Sequence, residues 1–534
     1  MPVYIRTRDE FAINSFWADN QTAPSVATFA DGGFVVIWGT LDGAQDGDSS
    51  AIKGQLFDSA GSKVGTEFRV NTLPAGSQFT ASVATLGNGN FVVTWVTSGT
   101  DPYAMDGSDG IKAQMYNSWG WPVGSEFQVD SAFTGSMFTP VVAALANGGF
   151  VISWADSNGF NIKAQIFDSA GSPVGDNFTL NANTSGSQDS ADITALANGG
   201  FVATWTTQDS SADGSGEAVK AQVFSATGAR VGGEFLVNSQ AAEGQYDASV
   251  TALAGGGFVI TWATRDPAQD GSSGAVKGQI FNSSGAKVGG EFLVNTAAAD
   301  IQREAVVTGT PDGGFVVAWT NYSSSQDGSG FAIKAQAFDS AGAKVGSEML
   351  VNTLTSGSQF LPDIATLADG RVIVTWTSTT GDGEGYAVRA QILGTQLAEP
   401  VPNARPIIIS PGGTSASLMV EEGTAFVTTV VASDDGEPTD LRYSITGGPE
   451  AHLFTINAVT GALSFIQAPD HVEGESNFYT VVVSASDGEL DNWQMIHVGV
   501  RHVNHVTIVS DGGGQYARVS IDENQTGVTL VGAV

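Results

Sequence analysis

The stretch Asp31-Gly32-Gly33-Phe34-Val35-Val36-Ile37-Trp38 decides how this chain is read. A Gly-rich turn leads into a short apolar run that closes on Trp. The phrase returns six more times, ending at Trp95, Trp154, Trp205, Trp262, Trp319 and Trp376, with gaps of 57, 59, 51, 57, 57 and 57 residues. Self-similarity at a fixed period marks a repeat architecture.

Around the phrase, one copy reads as four strands. Ala-Pro-Ser-Val-Ala-Thr-Phe (23–29) is the first, and Phe34 to Trp38, apolar on both faces, is the second. A polar loop carrying Asp46-Gly47 leads to a third at Ala51 to Phe57. Ser59 to Gly65 turns the chain, and Glu67-Phe68-Arg69-Val70-Asn71 is the fourth. β-branched runs between Gly, Asn, Asp and Ser clusters are hairpin signals. Four antiparallel strands in each of seven copies predict an all-β fold, a seven-bladed β-propeller over residues 1–397. The seventh copy lacks its fourth strand. The missing Glu-Phe-x-x-Asn phrase stands at the other end of the chain, as Glu10-Phe11-Ala12-Ile13-Asn14. The N-terminal strand is therefore expected to close the ring.

The composition shifts at Glu-Pro-Val-Pro-Asn-Ala-Arg-Pro (399–406), a stiff Pro-rich linker. Residues 398–506 then read as a β-sandwich. Residues 507–534 read as the truncated start of a further, similar domain, because Ile521-Asp522-Glu523-Asn524 echoes Val420-Glu421-Glu422-Gly423. The chain is expected to continue into further repeats.

Bulk composition limits function. The formal charge of −34 disfavours nucleic acid and anionic membranes as partners. There is no Cys, so disulfides and thiolate chemistry are excluded. No apolar run is long enough to span a bilayer, and the N-terminus has no apolar signal core. All five His lie after residue 450. A Ser-His-Asp triad or His-rich metal site cannot be assembled within 1–397, and carboxylate-only chemistry such as glycoside hydrolysis is what remains open there.

Each repeated mark has two readings. The seven Trp could form a sugar-stacking ring, but as last apolar residues of buried strands they are read as core. The cations Lys53, Lys112, Lys163, Lys220, Lys277, Lys334 and Arg389 could bind an anion, and are read as partners for acids such as Glu67 or Glu234. Asp46, Asp106, Asp213, Asp270, Asp327 and Asp382 precede Gly in the loops between second and third strands; they could be calcium ligands, best at Asp46-Gly47-Asp48 and Asp106-Gly107-Ser108-Asp109, and are read as turn residues. Trp119 and Trp121 break the pattern. They occupy a turn where other copies have small residues, and are candidate contacts for a glycan or protein.

Residues 403–504 resemble a bacterial cadherin-like repeat. The resemblance is carried by Pro402-Asn403, Glu422, Ala432-Ser433-Asp434-Asp435-Gly436, Tyr443-Ser444-Ile445-Thr446-Gly447-Gly448, Pro469-Asp470, Val483 to Gly488 and Val503-Asn504. The propeller-type copies are similar to repeats of large secreted proteins of the repeats-in-toxin type. The resemblance implies calcium at domain junctions, with Asp434, Asp435 and Asp487 facing the propeller side, Glu422, Asp470 and Glu473 facing the next repeat, and Asn504 in the junction. The echoed Glu523 would open the next domain. Compared with that family, Asp-x-Asp is contracted to Asp434-Asp435, Asp-x-Glu is stretched to Asp470-His471-Val472-Glu473, and His502 and His505 flank the closing Val503-Asn504. The expected function is a non-enzymatic, calcium-linked adhesion or surface module, extracellular or at the cell surface, with other surface proteins or glycans as partners. The alternatives are a glycan-binding, lectin-like propeller and a carboxylate-dependent glycan-processing enzyme.

Overall fold

The structure, a computed structural model, describes residues 4–15, 20–41, 50–72, 77–98, 110–130, 137–156, 160–212, 214, 216–239, 243–266, 274–296, 301–323, 330–380, 385–395, 405–411, 415–434, 441–472, 477–488, 490–503, 507–509 and 518–520. Two compact units divide the chain at Gln396 and Leu397. Both are all-β. A single 3₁₀ turn at Ala451–Leu453 is the one helical element among the described residues, and none of their helices is long and apolar enough to cross a membrane.

The first unit contains seven antiparallel sheets in chain order, six of four strands and one of five. The first sheet is built from Gln21–Thr28, Phe34–Thr40, Ala51–Phe57 and Lys63–Arg69. The seventh consists of Gln359–Thr366, Val372–Ser378 and Ala387–Thr395, and on that last strand Tyr4–Arg6 and Phe11–Ala12 pair antiparallel. First strands of successive sheets lie side by side, and that of the seventh lies beside that of the first. Side chains tie the seam. Val26 N–H donates to Asp363 Oδ2 at 2.8 Å and Thr28 Oγ1 to the Thr366 carbonyl at 2.9 Å.

The repeated residues now have physical reasons. All seven Trp are 0–1% exposed, so they fill the spaces between sheets. The third-strand Gln bridges an irregularity in the ladder. Gln55 Nε2 donates to the carbonyls of Leu56 and Val64, where pairing jumps from Leu56↔Val64 to Gly54↔Phe68. Gly65 sits there at φ +68, a conformation that favours Gly. The fourth strand consequently starts at Lys63, inside the stretch read from sequence as a turn, because the Gln amide satisfies backbone that the irregularity leaves unpaired. The Asn ending the fourth strand accepts from the third, as Val219 N–H to Asn238 Oδ1 at 3.0 Å.

The third-strand cations are ion-paired to fourth-strand acids. Lys220–Glu234 lies at 2.7 Å, Lys277–Glu291 at 2.9 Å and Lys334–Glu348 at 2.7 Å. Lys163 instead donates to Thr179 Oγ1 at 2.9 Å, Asn177 standing where other copies have Glu. The same acids cap the preceding sheet, as Ala182 N–H to Glu234 Oε2 at 2.6 Å. The N-terminal segment supplies all three devices to the seventh sheet. Glu10 pairs with Arg389 and accepts from Thr353 N–H, Asn14 Oδ1 accepts from Val388 N–H at 2.9 Å, and the Arg8 carbonyl accepts from Gln391 Nε2 at 2.6 Å.

In the second unit, Ser415–Glu421 runs parallel to Asp491–Arg501, which pairs antiparallel with Phe478–Ser486, and that with Arg442–Gly447. Phe426–Thr429, Ala462–Phe465 and Phe454–Ile456 form a three-stranded sheet. Leu463, Phe465, Val481, Val483, Ile496 and Val498 share one core from both sheets.

Candidate active site

In every sheet of the first unit, the start of the first strand, the end of the second and the start of the third lie at one end, as the pairs Gln245↔Thr264 and Thr264↔Ala275 show. At that end each first strand has a residue at positive φ, at Ala23, Thr80, Thr139, Ser190, Asp247, Glu304 and Leu361. The bulge is architectural, but its occupants differ. With the preceding residue, the pairs read Thr22-Ala23, Phe79-Thr80, Phe138-Thr139 and Phe360-Leu361 in four copies, and Asp189-Ser190, Tyr246-Asp247 and Arg303-Glu304 in the fourth, fifth and sixth. Charged and phenolic groups therefore collect on three adjacent sheets at one end of the ring of strands.

Glu304 is the best-anchored member. Its carboxylate accepts from Thr320 Oγ1 at 2.7 Å, from the Tyr322 hydroxyl at 3.1 Å, and from Leu361 N–H of the next sheet at 2.9 Å. Arg303 lies over the Tyr322 ring at 3.7 Å, and its buried Nε has no hydrogen-bond acceptor among the described residues. Arg265 lies 4.3 Å over the Tyr246 ring and pairs with Glu217. Burial, then the charge of Glu304, pushes the Asp247 carboxyl up to about 6, with Arg303 opposing. Burial, chiefly, raises Asp189. Burial and the Glu304 charge push the Tyr322 phenol up to about 12, so it stays a proton donor at neutral pH. A carboxyl whose pKa is raised to about 6, coupled to a carboxylate bonded to a phenol, is acid–base equipment. These acids were not singled out from the sequence; they lie on first strands rather than at the repeated turns. The signal was in the sequence, in the three copies whose first strands break the pattern.

The residues singled out from sequence fall elsewhere. Asp46, Asp106, Asp213, Asp270, Asp327 and Asp382 lie outside the described residues, as do Asp435, Glu473, Asn504 and Glu523. Glu422 Oε1 accepts from Val503 N–H at 2.8 Å and pairs with His502, while Oε2 accepts from His471 N–H at 3.2 Å. These contacts, led by the Val503 bond, lower its pKa. Glu422 thus joins strand ends within the unit. Asp487 Oδ1 accepts from Leu490 N–H at 2.7 Å, closing a turn. Asp434 follows the Val431–Ser433 strand half-buried, and Asp470 is exposed. Among the described residues, no three of His, Cys, Asp or Glu are grouped to hold a metal ion. Trp119 and Trp121 are 75% and 70% exposed.

No protein-family model and no curated protein matches the chain. Solved structures do. An ulvan lyase, described as a new family of polysaccharide lyase, is 11% identical over 71% of this chain and 95% of its own, with a TM-score of 0.49. The NanB sialidase of Streptococcus pneumoniae is 10% identical over 73% of this chain and 70% of its own, at 0.40. Human protocadherin-24 EC1-2 is 25% identical over 18% of this chain and 44% of its own, at 0.16. At these values the likeness concerns fold. The expectation of a non-enzymatic, calcium-linked adhesion module is corrected. Among the long structural matches, two are described as a polysaccharide lyase and a sialidase, and another is a protein of unknown function.

Proposed function

We propose that residues 1–397 form a seven-bladed β-propeller that cleaves a glycosidic bond, and that residues 398–506 form a β-sandwich carried behind it. The observation supporting this is the convergence of Asp247, Glu304, Tyr322 and Arg303 at one end of the ring of first strands. Asp247, whose pKa of about 6 keeps a protonated fraction available in mildly acidic solution, donates to the leaving sugar oxygen as the bond to the anomeric carbon breaks. Water adds to that carbon, and its proton passes through Tyr322 to Glu304. Arg303, lying over the Tyr322 ring, places a guanidinium charge beside these acids. A uronate carboxylate is the strongest acceptor a sugar offers.

The test incubates the full chain with neutral and uronate-containing polysaccharides and reads new reducing ends. Asp247→Asn and Glu304→Gln should each lower the rate about 100-fold or more, as expected for loss of a general acid or base. Cleavage that persists in both variants, or no cleavage of any member of the panel, overturns the reading.

A further inference from the structure

The opposite end of the same sheets carries a second unusual surface. There the turns between first and second strands, and between third and fourth strands, meet across neighbouring sheets. The turn Asn117-Ser118-Trp119-Gly120-Trp121 is closed by its Asn, whose Oδ1 accepts from the N–H groups of residues 119 and 121, both at 3.0 Å. Asp168 and Asp339 close the equivalent turns in the same way around Ala170 and Ser172, and around Ala341 and Ala343. The turn therefore needs neither indole. Every other complete copy has a small residue at both positions: Ala60 and Ser62, Ala170 and Ser172, Thr227 and Ala229, Ser284 and Ala286, Ala341 and Ala343. Two large apolar rings are held in water with no task in the fold.

Trp119 does not stand alone. It lines a groove of about 270 Å³ with Phe29, Asp31, Asp58 and Ser59 of the first sheet. Asp31 Oδ1 accepts from Gly33 N–H at 3.0 Å, and Asp58 Oδ1 from Ser62 N–H at 2.7 Å. Each carboxylate uses Oδ1 for its own turn, and Oδ2 of each has no donor among the described residues. The molecule contains its own comparison. The corresponding groove between the fifth and sixth sheets is about 330 Å³ and is lined by Gly255, Gly256, Asn282 and Ser340. There Gly255 stands where the first has Asp31, Asn282 where it has Asp58, and Ala341 where it has Trp119. The groove at the first sheet, formed at equivalent positions, thus combines an indole face with two acceptor oxygens.

We propose that this groove is a second, non-catalytic binding site for a neutral sugar residue of a polysaccharide. The apolar C–H face of a pyranose covers Trp119, with Trp121 beside it for the next unit. Hydroxyl groups donate to the free oxygens of Asp31 and Asp58. Two carboxylates in a chain of charge −34 repel an anionic ligand and accept only donors, which sugar hydroxyls supply. The site lies at the end of the sheets opposite Asp247 and Glu304, so it tethers a polymer without blocking the acid cluster. Its existence does not depend on catalysis there.

The experiment titrates the full chain with short neutral gluco-, manno-, xylo- and galacto-oligosaccharides, following exposed-Trp fluorescence and calorimetric heat. Saturable binding is expected for at least one. Trp119→Ala should weaken it about tenfold or more, the order of one stacking contact. Asp58→Asn keeps the turn acceptor, as Asn117 and Asn282 show, and should also weaken binding. Asp247→Asn should leave it unchanged, which separates this site from the proposed catalytic one. No saturable binding in the panel overturns the proposal. So does binding equal in wild type and Trp119→Ala, or a Trp-dependent complex formed only with a protein.

Discussion

At the scale of single residues, two half-buried aspartates carry opposite lessons. Asp247 is held protonated by burial and by Glu304, up to about 6. If it is the proton donor, the rate of glycan cleavage should fall as pH rises through about 6. A rate that instead climbs across that range would give Asp247 another role. Asp363 is equally pushed up to about 6, chiefly by burial, yet it is structural, accepting from Val26 and Ile364 N–H groups. Its folded-state pKa lies above the unfolded value of about 3.9. Folding therefore takes up protons between those values, and its contribution is most favourable below about pH 4 and is lost as pH rises to about 6. A shift of that size corresponds to about 3 kcal/mol. Asp363→Ser, copying Ser25 and Ser82 of the first two sheets, should flatten the fall in melting temperature between those pH values. Parallel curves for both proteins would show that the charge is not the cause.

At the scale of elements, each sheet is held by buried amides as much as by apolar packing. Asn238 accepts from Val219 N–H and donates to Gln245 Oε1 at 2.8 Å. Asn238→Ala leaves a fully buried N–H unpaired and should cost about 1–3 kcal/mol, read as a lowered urea midpoint. An unchanged midpoint would mean that water replaces the amide. These Asn and Gln were legible in the sequence as recurring marks, but their roles were not. A period shows that a residue repeats, and a hydrogen-bond partner nine or nineteen positions away appears only when strands are paired in register. The same limit hid the candidate site. Arg303, Glu304 and Tyr322 look like ordinary strand residues until pairing puts Tyr322 over Glu304 and the neighbouring sheet brings Asp247 alongside.

At the scale of the whole first unit, the chain ends its last sheet with its first residues. Glu10, Asn14 and the Arg8 carbonyl supply contacts that the fourth, fifth and sixth sheets draw from their own fourth strands. Removing residues 1–14 should leave Ala387–Thr395 as an open edge with buried polar groups unpaired. The truncated protein should be cleaved by protease near that strand and should self-associate, as read by limited proteolysis and size-exclusion chromatography. A truncated protein as resistant and monodisperse as the full chain would show that the seam does not need this segment.

The sequence by itself determined the period, the four-strand unit and the interruption of composition near residue 397, because turn chemistry and apolar runs are local properties. It also exposed Trp119 and Trp121 as departures, because the other copies serve as their reference. Only the tertiary structure decided which acids meet. The carboxyls of Asp247 and Glu304 come from different sheets, 57 residues apart in the chain. Their coupling and the raised Asp247 pKa that follows exist only once neighbouring strands exclude water from between them.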